Sequence, residues 1–205
     1  MAYILGFMYA DGNILKNKRG ACFCSVYSAD KELLEEIRLC CESNHKISVR
    51  KGSTQNNFRI QFGSKDMYMD LVKIGLTPNK TMRMKIPSVP LKYLNHFIRG
   101  YFDGDGNVWS GLIHKERKTQ HITLRVVFTS CSQRFLSDLG GIICRISGIS
   151  GVISKGAGNY YRLTYSSAGA LKLYRIMYNG LQSPLFLQRK KAVFEKFIEN
   201  INMRA

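Results

Sequence analysis

The chain has no apolar run approaching the ~18 residues that a membrane-spanning helix needs, and no Lys-rich amphipathic segment that would lie on a bilayer. Its six cysteines, Cys22, Cys24, Cys40, Cys41, Cys131 and Cys144, form no C-x-x-C pair, which argues against a zinc knuckle. Cys22, Cys24 and Cys40 lie among apolar neighbours and read as small core residues. This usage fits a reducing, intracellular compartment better than a secreted one. An apolar helical pattern begins almost at Met1, so no signal peptide is read. Proline is sparse, and three of the four prolines (Pro78, Pro87, Pro90) fall within residues 77–93, the expected linker. Tryptophan occurs once, at Trp109, and no stretch is of low complexity.

Acidic residues are also scarce. Fourteen Asp and Glu stand against 31 Lys and Arg, for a net charge of +17. Apolar content of 45% and charged content of 22% are otherwise those of a globular protein, long enough for one large or two small domains. The excess is spread along the chain, with 15 basic and 8 acidic residues in 1–93 and 16 and 6 in 94–205. A basic tail would have concentrated it, so both halves are expected to face one polyanion. Nucleic acid is the first reading and an anionic membrane, unsupported by any segment, the second.

The chain repeats itself. Residues 4–12 read Ile-Leu-Gly-Phe-Met-Tyr-Ala-Asp-Gly and residues 98–106 read Ile-Arg-Gly-Tyr-Phe-Asp-Gly-Asp-Gly. After each Asp-Gly comes a β-rich run (21–27, 123–129), then a helical pattern opened by Ser28 or Ser130 as cap. Next come Ile47-Ser-Val-Arg-Lys and Gly151-Val-Ile-Ser-Lys, then Phe58-Arg-Ile-Gln-Phe and Tyr161-Arg-Leu-Thr-Tyr, alternating as half-buried strands should. A second helix follows, over 66–74 and 169–178. The fold class is therefore α+β: two pseudosymmetric α-β-β-α-β-β-α repeats, 1–93 and 94–205. The second carries insertions, the largest in 108–122, a longer and basic hairpin.

Within the repeated helix, Gly6 and Ala10 share a face, as do Gly100 and Gly104. Small residues at this spacing let two backbones meet closely, which would pair the helices about a pseudo-twofold axis. Gly12 and Gly106 are expected as left-handed C-caps. Asp11 and Asp105 then lie side by side at the negative ends of two helix dipoles, where a divalent cation is favoured. Paired acids holding metal against a phosphate are apparatus for phosphodiester hydrolysis. An isolated Asp-Gly is more often only a helix end; the duplication is what singles these two out. Residues 103–107 also look like the start of a calcium loop, but Val108 stands where Gly is needed and His114 where Glu should close it.

These two segments resemble the paired motif of the LAGLIDADG homing endonucleases in their single-chain, two-repeat form, and the resemblance spans essentially the whole chain. It implies antiparallel sheets forming a DNA-binding saddle, with the motif helices packed at the repeat interface. It implies a sequence-specific endonuclease making a metal-dependent double-strand break with short 3′ overhangs at a long, asymmetric site. Asp11 and Asp105 would bind Mg²⁺ (Mn²⁺ or Ca²⁺ substituting), with the carbonyls of Ala10 and Gly104 as further ligands. The sixth motif position, Tyr9 in one copy and Asp103 in the other, would pack or cap rather than bind metal. The family places a lysine near the metals late in a repeat: Lys80 fits in the first copy, while in the second Gln188, Arg189 and Lys190 are all candidates, with Lys190 carried forward. Plain attraction of phosphate is the alternative for any lysine in so basic a chain. Ser28 and Ser130 fall where the family has a polar residue near the site.

The resemblance also makes double-stranded DNA the partner, with intron RNA a further candidate, and a monomer the acting form. Bacterial cytoplasm or an organelle matrix is the expected location. Strand alternation puts Arg59, Gln61, Arg162 and Thr164 outward, and likewise Ser48, Arg50, Thr123 and Arg125; Arg and Gln suit guanine and adenine edges in the major groove. Lys16, Lys18, Arg19, His114, Lys115, Arg117, Lys118 and Lys155 would extend the footprint through phosphates. Trp109 could stack near DNA or pack, and packing is favoured. The competing readings are an RNA-splicing maturase and a non-cleaving DNA-binding protein of the same fold.

Overall fold

A computed structural model describes residues 1–52, 56–78, 82–113 and 121–203. Lys80, His114, Lys115, Arg117 and Lys118 lie outside the described residues. The chain forms two compact units: Met1–Asp105 with Ser183–Phe186, and Gly106–Gln182 with Leu187–Ala205.

In the first unit the order is α1 (Ala2–Asp11), β1 (Gly12–Lys16), β2 (Cys22–Ser28), α2 (Lys31–Cys40), β3 (Ile47–Arg50), β4 (Asn57–Gly63) and α3 (Lys65–Lys73), then a 3-10 turn (Leu91–Tyr93) into α4 (Leu94–Asp105). The four strands are antiparallel in the order β1-β2-β4-β3. Ile14, Cys24, Val26, Ile60 and Phe62 face one side and are buried. Leu33, Leu34 and Ile37 of α2 sit at helical spacing and are buried, and α2 packs on β2 and β4. α1 is apolar almost all round because it is covered twice, by α4 and by β2.

The second unit repeats the plan with β5 (Gly106–Ile113), β6 (His121–Ser130), α5 (Gln133–Ser147), β7 (Val152–Lys155), β8 (Tyr161–Ser166) and α6 (Ala168–Tyr178), the sheet again antiparallel in the order β5-β6-β8-β7. The first hairpin here has strands of 8 and 10 residues against 5 and 7 in the first unit, where the sequence places the insertion. An additional helix, α7 (Gln188–Asn202), packs on β5. Its Phe194 and Phe197 are buried, one turn apart on one face.

Several local expectations are corrected. Gly12 is not left-handed: its φ of −99° and ψ of 156° are extended. It must still be glycine, because a Cβ there would lie 2.5 Å from the Met8 carbonyl oxygen. Gly106 is likewise not among the positive-φ residues. Ser28 and Ser130 are not the helix caps. Each accepts a hydrogen bond from the backbone N–H two residues on, at Asp30 and Ser132, so each closes the turn that leads into the helix. The N-caps are Asp30 and Ser132, and Ser132 accepts from Phe135 N–H. Cys40 is exposed at the end of α2, whereas Cys22 and Cys24 are core residues as expected. Burial, with Cys22 alongside, pushes the Cys24 thiol up to about 11, so it stays a protonated packing group. Val49, expected to face the core, is exposed on the edge strand β3.

Candidate active site and nucleic-acid interface

The site begins with the α1–α4 pair, whose contacts are reciprocal. A Cβ on Gly6 would strike the Phe97 carbonyl oxygen and lie 2.9 Å from Tyr101 N. A Cβ on Gly100 would strike the Tyr3 carbonyl oxygen and lie 2.9 Å from Phe7 N. Each glycine is thus pressed on the equivalent turn of the other helix, so the two helices are related by a local twofold. Further along, a Cβ on Gly104 would collide with that of Ala10 and lie 3.2 Å from Asp11 Oδ2. Contacts that advance along both helices together mean the pair is parallel. Both C termini, with Asp11 and Asp105, therefore arrive at the same end.

Asp105 is half-buried there, and Asp11 is exposed. The Asp11 carboxylate lies against Gly104, the residue before Asp105. Carbonyl ends of two dipoles and two carboxylates concentrate negative charge at one place. Every donor there is a hard oxygen, the set that suits Mg²⁺ or Ca²⁺ rather than a transition metal. No group of three or more His, Cys, Asp or Glu able to hold a metal occurs among the described residues. A cation here would therefore rest on the two acids, backbone carbonyls and water, as Mg²⁺ commonly does.

The sixth motif positions pack, as expected. Asp103 is buried and accepts a hydrogen bond of 2.8 Å from the Tyr3 hydroxyl. Tyr9 is fully buried, edge-on to Phe97 with centroids 5.6 Å apart, and its hydroxyl reaches the Ile74 carbonyl at 3.4 Å. Burial pushes its phenol up to about 12, keeping it a donor.

Of the three candidates Gln188, Arg189 and Lys190, Lys190 is the buried one. It is only 7% exposed, in the first turn of α7, and its Nζ donates to the Gly106 carbonyl at 2.6 Å. That carbonyl directly follows Asp105 in the chain. Gln188 and Arg189 are exposed on the same turn.

Sequence reasoning missed Arg99. Its side chain is fully buried; Nε donates to the Leu185 carbonyl at 3.1 Å, Nη2 to His96 Nδ1 at 2.9 Å, and the guanidinium lies 5.4 Å from the Tyr3 ring centre. The available signal was a lone charge inside the apolar run 97–102, where the first copy has Leu5.

On the sheets, residues directly opposite one another share a face. In the first unit, Ser48 opposes Arg59, Gln61 opposes Ser25 and Arg50 opposes Asn57, so Ser48, Arg50, Arg59 and Gln61 share the face away from Ile60 and Phe62. The Ser48 hydroxyl donates to the Arg59 carbonyl at 3.2 Å. Lys16 opposes Cys22 on the other face but is exposed at the strand end. Lys18 and Arg19 are exposed in the next turn, which Asn17 organises by accepting from the N–H of Arg19 and Ala21.

In the second unit, Arg125, Arg162 and Thr164 share the face away from Leu163 and Tyr165. One expectation is corrected. Thr123 shares the face of Arg125 but is only 7% exposed, its hydroxyl held 3.1 Å from that of Ser167. Lys155 opposes Tyr161 and so lies on the opposite face from Arg162, exposed at the strand end. Trp109 also departs from the packing reading. It opposes Arg125 on the outer face, is 44% exposed, and lies flat across Gly111, where a Cβ would come within 2.5 Å of the indole.

None of the eight strands contains an Asp or Glu. Lys31–Glu35, Asp70–Lys73, Arg134–Asp138 and Lys191–Glu195 are ion pairs that each lie within one helix. Arg50, Arg59, Arg125 and Arg162 have no carboxylate partner among the described residues, so their charge is available to an external anion.

Two parallel glycine-seamed helices ending in paired acids, each leading into an antiparallel four-stranded sheet, define the fold of the single-chain LAGLIDADG homing endonucleases. The solved structures bear this out. The chain superposes on a variant of I-SmaMI with a TM-score of 0.66, 14% identity, and coverage of 99% of this chain and 91% of that one. The I-LtrWI LAGLIDADG homing endonuclease bound to target DNA gives 0.62 at 15% identity over 99% and 89%. The LAGLIDADG meganuclease I-AabMI bound to uncleaved DNA gives 0.62 at 13% over 98% and 90%. No protein-family profile matches the chain. Among curated proteins it is 26% identical over 185 residues to "Probable translation initiation factor IF-2" of Thermococcus kodakarensis, covering 84% of this chain and 14% of that protein. It is 23% identical over 207 residues to the DNA-directed RNA polymerase subunit Rpo1C of Methanocaldococcus jannaschii, covering 98% and 21%. The chain thus spans between about a seventh and a fifth of the length of these two relatives.

Proposed function

We propose that this chain is a sequence-specific DNA endonuclease that makes a metal-dependent double-strand break at a long, asymmetric site, acting as a monomer because both halves of the site are on one chain. The observation that carries the reading is the meeting of Asp11 and Asp105 at one end of a reciprocal helix pair, each helix leading in sequence into a sheet whose arginines face outward without carboxylates. A solved relative of the fold, I-SmaMI, is described as bound to an uncleaved DNA target in the presence of calcium ions, which supports a divalent cation in such sites. Curated relatives named for translation and for transcription share this segment as a small fraction of their length, which supports reading it as a module with work of its own.

Asp11 and Asp105, with the carbonyls of Ala10 and Gly104, would hold Mg²⁺, with Mn²⁺ or Ca²⁺ able to occupy the same oxygens. When bound, the cation supplies charge neutralisation at the scissile phosphate and a more acidic water. The rest falls to the protein. The helix pair fixes the two carboxylates relative to each other. Lys190, its ammonium already turned to the backbone after Asp105, stabilises negative charge developing on the phosphate. Lys80 is assigned the same task in the first half. The outer sheet faces read base edges through Arg and Gln, and Lys16, Lys18 and Arg19 hold phosphates. The work is placed inside the cell, in a bacterial cytoplasm or organelle matrix.

The test is cleavage of a randomised duplex library with Mg²⁺, beside the Asp11→Asn/Asp105→Asn double variant. The expected result is cutting at one long sequence by the natural chain only, with DNA binding retained in the variant. Salt-sensitive binding to DNA or structured RNA with no cutting by either would replace this reading with a maturase or a non-cleaving binder.

A further inference from the structure

Beyond the general role of the sheets, and resting on the reading of this chain as a DNA-recognising protein, we propose that Arg162 is held ready by Tyr160 to read a guanine in the second half of the target. Tyr160 is thereby a positioning residue for specificity.

Arg162 stands on the outer face of β8, flanked across the sheet by Thr129 on β6 and Ser154 on β7, both small. It is exposed and belongs to no ion pair among the described residues. Two contacts restrain it, and both come from one ring. Nη2 donates to the Tyr160 hydroxyl at 2.9 Å, and Cζ lies 5.1 Å from the ring centroid. This spends one of five N–H groups. The remaining donors keep the planar fork that pairs with guanine O6 and N7. An arginine already restrained loses less freedom on docking, so it discriminates better than a free one.

Tyr160 is itself placed by the hairpin turn. The Gly156 N–H donates to the Tyr160 carbonyl at 2.9 Å, closing the β7–β8 loop. The ring lies where a side chain at 156 would be and rests against position 158. A Cβ on Gly156 would collide with the ring edge, and one on Gly158 would sit 3.4 Å from Cδ1 and Cε1. The first unit lacks this arrangement. Arg59 occupies the matching strand position, but residue 57 is Asn, and its guanidinium has no hydrogen bond or ring contact among the described residues. The two halves therefore differ in how firmly an equivalent arginine is held.

The experiment is selection of bound duplexes from a randomised library by the full chain, Ca²⁺ replacing Mg²⁺, followed by affinity measurements across salt. The variants are Arg162→Ala, Tyr160→Phe, Tyr160→Ala and the double Arg162→Ala/Tyr160→Phe, each checked for an unchanged melting curve. The natural chain is expected to prefer G at one position of the second half-site. Arg162→Ala should abolish that preference alone, losing ~10- to 100-fold between G and the other bases. Tyr160→Phe should weaken the same preference, Tyr160→Ala more so, and the double variant should match Arg162→Ala. The proposal falls if Arg162→Ala weakens all sequences alike and lowers the salt slope by about one, the mark of a phosphate contact. It falls equally if Tyr160→Phe leaves the profile intact. If the natural chain selects no sequence at all, the underlying DNA reading fails with it; selection that ignores Arg162 removes this proposal only.

Discussion

Arg99 and His96 show how one buried charge sets its surroundings. A guanidinium can only donate, so His96 Nδ1 must be the acceptor and the imidazole neutral. Burial first, then the Arg99 charge, then more weakly the amino terminus hold the His96 pKa below its usual value. Between the folded value and about 6.5 the unfolded chain binds a proton that the folded one does not. Stability therefore rises with pH through that window, is fully present above it, and is lost as pH falls. Melting temperatures followed from about pH 5 to 8 should climb to a plateau above the window, and His96→Gln should flatten the acid limb; an unchanged limb would place the titration elsewhere. Lys190 makes a different case. Lys190→Met keeps the stem and removes the ammonium, and is expected to slow single-turnover cleavage by ~10²-fold or more while leaving DNA affinity nearly as it was. A parallel loss of binding would reduce it to a phosphate anchor. Asp11 and Asp105 stand out in the sequence because duplication marks them, whereas Lys190 could be carried forward only as one of three neighbouring candidates. Its position depends on where α7 starts, and that is fixed by the burial of Leu185 and Leu187, which no local pattern announces.

At the scale of elements, the helix pair is the least forgiving part of the fold. The atoms that would meet a methyl on Gly6 or Gly100 are backbone atoms of the facing helix, which cannot rotate away. Gly6→Ala or Gly100→Ala is expected to cost ~1–3 kcal/mol or more, a fall in Tm of roughly 2–12 °C for a chain of this length. Gly141, inside α5 with nothing within 4 Å of an added Cβ, is the control. Gly141→Ala should stabilise by about 0.5–1 kcal/mol through helix propensity alone. Calorimetry on the three variants checks the contrast, and equal effects at all three would mean the seam yields. Element order, strand alternation and the small-residue seam were all written in periodicity. What escaped were features set by neighbours. The true caps at Asp30 and Ser132 emerge only once Ser28 and Ser130 have closed their turns. Thr123 has the right parity for the outer face and is nonetheless covered where Ser167 meets it. Trp109 lies outward because Gly111 leaves room for the ring to lie flat.

For the whole molecule, the distribution of charge matters more than its sum. A net charge of +17 would draw the chain to any polyanion. Placement narrows this, because the strands hold Arg50, Arg59, Arg125 and Arg162 without a single acid, while Lys31, Lys73, Arg134 and Lys191 are paired with acids of their own helices. Cations already paired release little on binding, so the unpaired set governs the salt response. Lys16, Lys18 and Arg19 are the side chains assigned to phosphates, three contacts beyond the base-reading arginines. The slope of log affinity against log salt is then expected at about −2.7 or steeper, a loss of roughly 40-fold or more between ~50 and 200 mM salt. Replacing the helix-borne Lys31 or Lys73 by Gln should leave that slope unchanged, whereas Lys18→Gln/Arg19→Gln should make it shallower by up to about two. Titration of a fluorescent duplex over this range measures both. A slope that responds equally to every lysine removed would mean that the chain binds as a diffuse cation, and that the separation of paired helix charges from unpaired strand charges has no part in recognition.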